Sequence, residues 1–125
     1  MYTRFTVNYI NKQSGMSQGI LGAAFKLKKD GRVPPPLKDS FELSLSWFQT
    51  AFLTPDIFDQ TSCREGICWF KDTQTDLINK VRELIPTIER CGLKVSEQKS
   101  RDPGKVIYED DHQVVAIPIK AMEEV

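Results

Sequence analysis

The stretch from Gly104 to Lys120 limits most tightly what this chain can become. Two runs rich in β-branched and aromatic residues flank the charged tetrad Glu109-Asp110-Asp111-His112. That spacing predicts a β-hairpin. Its second arm, from Val114 to Ile119, is the most apolar segment of the protein, so it needs cover from other elements. The expectation is a hairpin at the centre of a sheet, roofed by amphipathic helices, with its acidic tip reaching water.

The rest of the chain supplies those helices and further strands. Tyr2 to Ile10 alternates with period two and predicts a strand with Phe5, Val7 and Tyr9 inward. Ser14 or Ser17 is placed to cap a helix running to about Asp30, on which Ile20, Ala24 and Leu27 recur at helical spacing. Gly19 and Gly22 weaken that helix, and Gly31 suits a left-handed C-terminal residue. Val33-Pro34-Pro35-Pro36-Leu37 reads as a stiff extended connector rather than a proline-rich ligand for another domain.

Phe41 to Trp47 satisfies both periods. Phe41, Leu45, Phe48 and Phe52 extend the helical one over twelve residues, so length favours a helix capped by Asp39 or Ser40. Leu53-Thr54-Pro55 would end it. Pro55 to Gly66 reads as a polar loop, and Ile67 to Phe70 as a short buried strand. Asp72 or Thr73 opens the clearest helix, with Leu77, Ile78, Val81, Leu84, Ile85 and Ile88 on one stripe. Pro86 should kink or break it, and Gly92 should stop it with Leu93 folding back. Lys94 to Ser100 reads as an edge strand, Asp102-Pro103-Gly104 as a turn, and Ala121 to Val125 as a frayed tail. Together these predict a single α+β domain over residues 1–125. Its mainly antiparallel sheet carries about three helices on one face.

Composition narrows the functional classes. Seventeen basic residues balance seventeen acidic ones. Neutralising a phosphate backbone takes a basic footprint. The local one, Lys26, Lys28, Lys29 and Arg32 interrupted by Asp30, reads as a solvated helix end. Nucleic acid is therefore disfavoured as a partner. No run is long enough to cross a membrane, and no signal peptide is evident at Met1 to Ile10. Three cysteines, an odd number, argue for reduced thiols and a cytoplasmic setting.

Three groups of residues could carry chemistry. The turn Glu109-Asp110-Asp111-His112 places three acids beside the only histidine. A base or a metal ligand is conceivable there, but four consecutive residues chelate poorly, and Asp is favoured in turns for its own hydrogen bonding. Among the cysteines, Cys63 beside Arg64 is the candidate reactive thiol, with His112 as a partner base, and Cys91 reads as core. Cys63 and Cys68 have no second pair to complete a zinc site. The third group is Trp69, Lys71, Tyr108 and Glu109, which would line one rim of the sheet if the Ile67 strand and the hairpin are neighbours, and would suit a planar ligand. The ligand-binding candidates are thus Trp69, Lys71, Tyr108, Glu109, Asp111 and His112. Neither metal nor cofactor is expected. No phosphate loop, nucleophile elbow or zinc-protease helix occurs.

Ile-Cys-Trp-Phe-Lys (67 to 71), taken with Pro-Gly-Lys-Val-Ile-Tyr-Glu-Asp-Asp-His-Gln-Val-Val-Ala (103 to 116), resembles a pattern in a group of uncharacterised bacterial proteins. The resemblance covers about the last half of the chain and implies no activity or site. The sequence therefore points to a small binding domain, for a protein partner, its own copy or a small ligand. The alternative is a small enzyme acting on a nucleotide-like or other small substrate around Tyr108, Glu109, Asp111 and His112. An enzyme should set His112 or Glu109 in a concave pocket with a perturbed pKa. A binding module should expose an apolar patch or a two-fold contact.

Overall fold

The computed structural model describes residues 1–12, 15–51 and 66–117. Along them run β1 (Tyr2–Ile10), β2 (Ser17–Gly19), α1 (Ile20–Lys29), α2 (Pro35–Ala51), β3 (Ile67–Lys71), α3 (Thr75–Arg82), α4 (Ile85–Arg90), β4 (Val95–Ser100), β5 (Lys105–Glu109) and β6 (Gln113–Ile117). The expected α+β class holds: one antiparallel sheet shares its core with the helices.

β1 organises the sheet. It pairs with β4 from Tyr2 to Val7, with β3 at Tyr2 and Thr3, and with β2 at Thr6 and Ile10. A strand has only two hydrogen-bonding edges. β4 therefore occupies one, and β2 and β3 divide the other. β3 continues to β6, and β6 to β5.

The hairpin is thus not central. Among the described residues β5 is an edge strand, as β2 is at the other end of the order, and β1 and β3 take the middle. Composition explains the displacement. Lys105, Val106 and Glu109 are exposed, and the register slips between Val106 and Tyr108; charge and irregularity of this kind suit an edge. The apolar arm is buried as expected, with Val114, Val115 and Ala116 at 0% exposure. Residues 118 to 125, including the end of that arm and the expected tail, lie outside the described residues.

Cross-strand partners share a face of the sheet, which sets the layers. Thr3, Phe70 and Gln113 are opposite one another. Phe5 and Val7 follow at period two, each 2% exposed, and join Phe70 in the helix-packed core. Ala23, Ala24 and Leu27 of α1, Phe41, Leu45 and Phe48 of α2, and Leu77, Ile78 and Val81 of α3 meet them there. Arg82 lies over the Phe5 ring at 5.9 Å and pairs with Glu97 at 2.7 Å, closing that side of the core.

Three helix starts depart from expectation. Ser17 does not cap α1. Ser17–Gly19 pairs with β1 instead, and α1 begins at Ile20 with Gly19 as its N-cap. Ladder bonds along a free strand edge outweigh one capping bond. A Cβ at Gly22 would meet only the movable end of the Gln18 side chain. The prolines form no extended connector: Pro35 and Pro36 are the first turn of α2. First-turn N–H groups have no intrahelical acceptor, so proline loses nothing and its fixed φ suits the helix. Leu37 N–H donates to Pro34 O at 2.9 Å, and Asp39 and Ser40 lie inside the helix rather than capping it. Gln74, not Asp72 or Thr73, precedes α3. The Asp72 carboxylate instead accepts the Thr3 hydroxyl.

Pro86 breaks the long stripe as expected. α3 stops at Arg82 and α4 resumes at Ile85, with the proline in its first turn. Gly31 and Gly92 end their helices at φ 66° and 94°. Gly31 N–H donates to Lys28 O, and Arg32 N–H to Leu27 O, the paired bonds of a Schellman motif. Replacing Gly31 with Ala is expected to lower stability by about 1–2 kcal/mol, since an L side chain resists that region. Gly31→Asn should lose less. The denaturant midpoints of the two variants check the ranking.

Candidate functional site

The register divides the six candidate side chains. Trp69, Val114 and Glu109 are successive cross-strand partners, so Trp69 and Glu109 share a face. Lys71, two residues on, joins them, and its Nζ pairs with Glu109 Oε2 at 2.6 Å. That hydrogen bond holds the Lys71 ammonium above its ordinary pKa. Tyr108 is opposite Val115, which is opposite Cys68. It belongs to the other face, where Cys68 and Phe70 meet the helices. Asp111 is exposed. His112 Nδ1 lies 3.0 Å from Gln74 Oε1, which ties the hairpin tip to the start of α3. β3 and the hairpin are indeed neighbours, yet Tyr108 stands apart from Trp69, Lys71 and Glu109.

Asp110 explains the geometry of the tip. Its Oδ1 accepts the backbone N–H of His112 at 2.8 Å and of Gln113 at 3.0 Å. Its Oδ2 accepts the Tyr108 hydroxyl at 2.9 Å and Gln113 Nε2 at 3.2 Å. Burial pushes this carboxyl up, but the four hydrogen bonds outweigh it and hold the pKa below the usual carboxylate range. The carboxylate is a collar that closes the hairpin. The sequence signal was the preference of Asp for turns, present in plain view.

The bond network continues inward. Gln113, only 1% exposed, accepts the Cys68 thiol proton on Oε1 at 2.7 Å. Burial pushes the Cys68 thiol up to about 12, with Asp110 adding to the effect and Arg4 opposing it. Such a thiol stays protonated at neutral pH and is no nucleophile. Arg4 is itself buried, donates to Ser17 O, and is lowered in pKa by desolvation. Cys63 and Arg64, like the expected Pro55 loop, lie outside the described residues. Among the described residues no group of three or more His, Cys, Asp or Glu is placed to hold a metal ion.

A concave feature sits elsewhere. A cleft of about 240 Å³ opens where the end of β1 meets the C-terminal ends of two helices. Ala23, Lys26, Leu27 and Asp30 line it from one face of α1, at the spacing of a helical stripe. Tyr9 contributes from β1, Arg32 from just beyond Gly31, and Leu93 from just beyond Gly92. Both helix-ending glycines thus turn the following side chain back onto the cleft. Cys91, partly buried against the core as expected, donates its thiol to Arg32 O at 3.7 Å and links the two helix ends. Burial raises the Tyr9 phenol pKa, and the Asp30 carboxylate raises it further. From Thr3, level with the hairpin partners, to Tyr9 is about 20 Å of strand. The basic residues read from sequence as a solvated helix end include two that line this cleft, Lys26 and Arg32. Nothing in the periodicity of α1 could bring Leu93 to them.

The chain matches no known family model, no curated protein and no solved structure. No helix among the described residues is long and apolar enough to cross a membrane.

Two outcomes follow from the collar. Asp110 has a depressed folded pKa, so its stabilising contribution is present above the unfolded value of 3.8 and is lost as pH falls through the folded value. Asp110→Asn, which sets an NH₂ against donors, should cost about 2 kcal/mol at pH 7. The melting-temperature gap to wild type should narrow as the pH is taken progressively below 3.8. A gap that stays constant with pH would remove the carboxylate from its hub role. Cys68, partly exposed but held protonated, should alkylate with iodoacetamide at pH 7 far more slowly than the same thiol in denatured protein, read by mass spectrometry.

Proposed function

We propose that this protein is a binding domain and that it holds a small organic molecule in the cleft between Tyr9, α1 and Leu93. One observation carries the reading. A concave site joins an apolar floor, Ala23, Leu27 and Leu93, to a polar rim of Tyr9, Lys26, Asp30 and Arg32. Ligand sites commonly combine an apolar lining with a few placed polar groups.

The alternative, a small enzyme around Tyr108, Glu109, Asp111 and His112, has less support. Its polar groups are engaged in closing the hairpin: Tyr108 on Asp110, Glu109 on Lys71, His112 on Gln74. A reactive site needs groups aimed at a reacting atom with room beside them. For setting, we propose a reducing, cytoplasmic compartment, a reading supported by the free thiols of Cys68 and Cys91.

The test is a thermal-shift screen of small metabolites against the wild type and Leu93→Trp, which fills the cleft from the partly exposed part of its apolar floor. A ligand at a hundred times its Kd should stabilise the wild type by about 2.7 kcal/mol. The same ligand should leave Leu93→Trp unmoved. Hits that survive in Leu93→Trp and vanish in Glu109→Gln or His112→Asn would transfer the site to the hairpin rim.

A further inference from the structure

The cleft's ionic groups specify what enters it. Lys26 and Arg32 bring two positive charges and Asp30 one negative charge to a single apolar-floored space. Two helix-terminal carbonyls nearby already accept backbone bonds, Lys28 O from Gly31 N–H and Leu27 O from Arg32 N–H. They do not compete for the cationic side chains. Arg32 is also held on both sides of its Cα. Its N–H is fixed on Leu27 and its carbonyl accepts the Cys91 thiol. The guanidinium therefore extends from an anchored backbone, which lowers the ordering cost of gripping an anion. Tyr9, the phenol with the raised pKa, presents a hydroxyl donor and not a phenolate at neutral pH.

Resting on the cleft reading above, we infer that the ligand is a small monocarboxylate with an apolar body. Its acid group meets Arg32 and Lys26, and its hydrocarbon lies on Ala23, Leu27 and Leu93. Arg offers a carboxylate two parallel hydrogen bonds, which fixes the acid in register with the floor. Asp30 sets the upper limit on charge, because a second acid group would be crowded against it. Size agrees: 240 Å³ falls below the ~300–1,000 Å³ usual for drug-sized ligands, which favours a compact acid.

The experiment is a backbone-amide NMR titration of the full chain with three probes of one shape: 3-phenylpropanoate, 3-phenylpropanamide and 3-phenylpropylamine. The acid is expected to shift the resonances of Tyr9, Ala23 and Leu93 and to bind about tenfold tighter than the amide. That advantage should disappear in Lys26→Gln/Arg32→Gln, whose altered side chains are solvent-exposed. Equal affinity for acid and amide would leave the cleft as the binding site but overturn the charge assignment. Preference for the amine would do the same, in favour of Asp30. Absence of any cleft shift with all three probes at millimolar concentration would overturn both readings.

Discussion

A strand offers two hydrogen-bonding edges, and β1 has three partners to serve. The conflict is resolved by position along the strand. β4 runs along one edge from Tyr2 to Val7, while β3 takes the other at Tyr2 and Thr3 and β2 takes it from Thr6 onward. The fork between β2 and β3 falls at Arg4 and Phe5. Everything else is arranged around it. β3 leads away to β6 and the hairpin, β2 leads directly into α1, and Phe5 and Val7 anchor the helices beneath. The two regions of chemical interest therefore lie at opposite ends of one strand. Their separation follows from how the edges are shared.

Polar groups that the sheet buries are satisfied in a chain. Asp110 holds the hairpin tip, Gln113 bridges inward, and the Cys68 thiol donates the last bond. An unpaired buried polar atom costs about 1–3 kcal/mol, so each member depends on the next. Among the described residues, no fully buried side-chain N or O atom lacks a partner. Two groups that look reactive in sequence, Asp110 and His112, thus also fasten the hairpin, Asp110 to Tyr108 and Gln113 and His112 to Gln74. The same low-dielectric surroundings that strengthen the bonds keep the thiol protonated.

The cleft arises from helix termination. α1 and α4 each stop at a glycine in the left-handed region, and each glycine redirects the next side chain across the helix end. Arg32 and Leu93, sixty-one residues apart by their numbers, come to face one space with Tyr9 between the two helix ends. Two ordinary capping motifs, brought side by side by packing on β1, make a pocket that neither would form alone.

Local physics was readable in the residues. The period-two and helical stripes located β1, α1, α2, β3, β4 and the hairpin. Gly31, Gly92 and Pro86 marked the helix ends and the break between α3 and α4, because those effects depend on φ alone or on one missing N–H. What depends on neighbours distant in the chain was not readable. Only the tertiary structure decided that Ser17–Gly19 extends β1's ladder instead of capping a helix, that the hairpin lies toward the sheet's edge, and that Tyr108 faces away from Trp69 and Glu109. Register assigns faces, and register is settled by which strand edges remain free. The cleft residues belong to that second kind: their identities stood in the sequence, but only the packing of two helix ends against one strand gave them a common site.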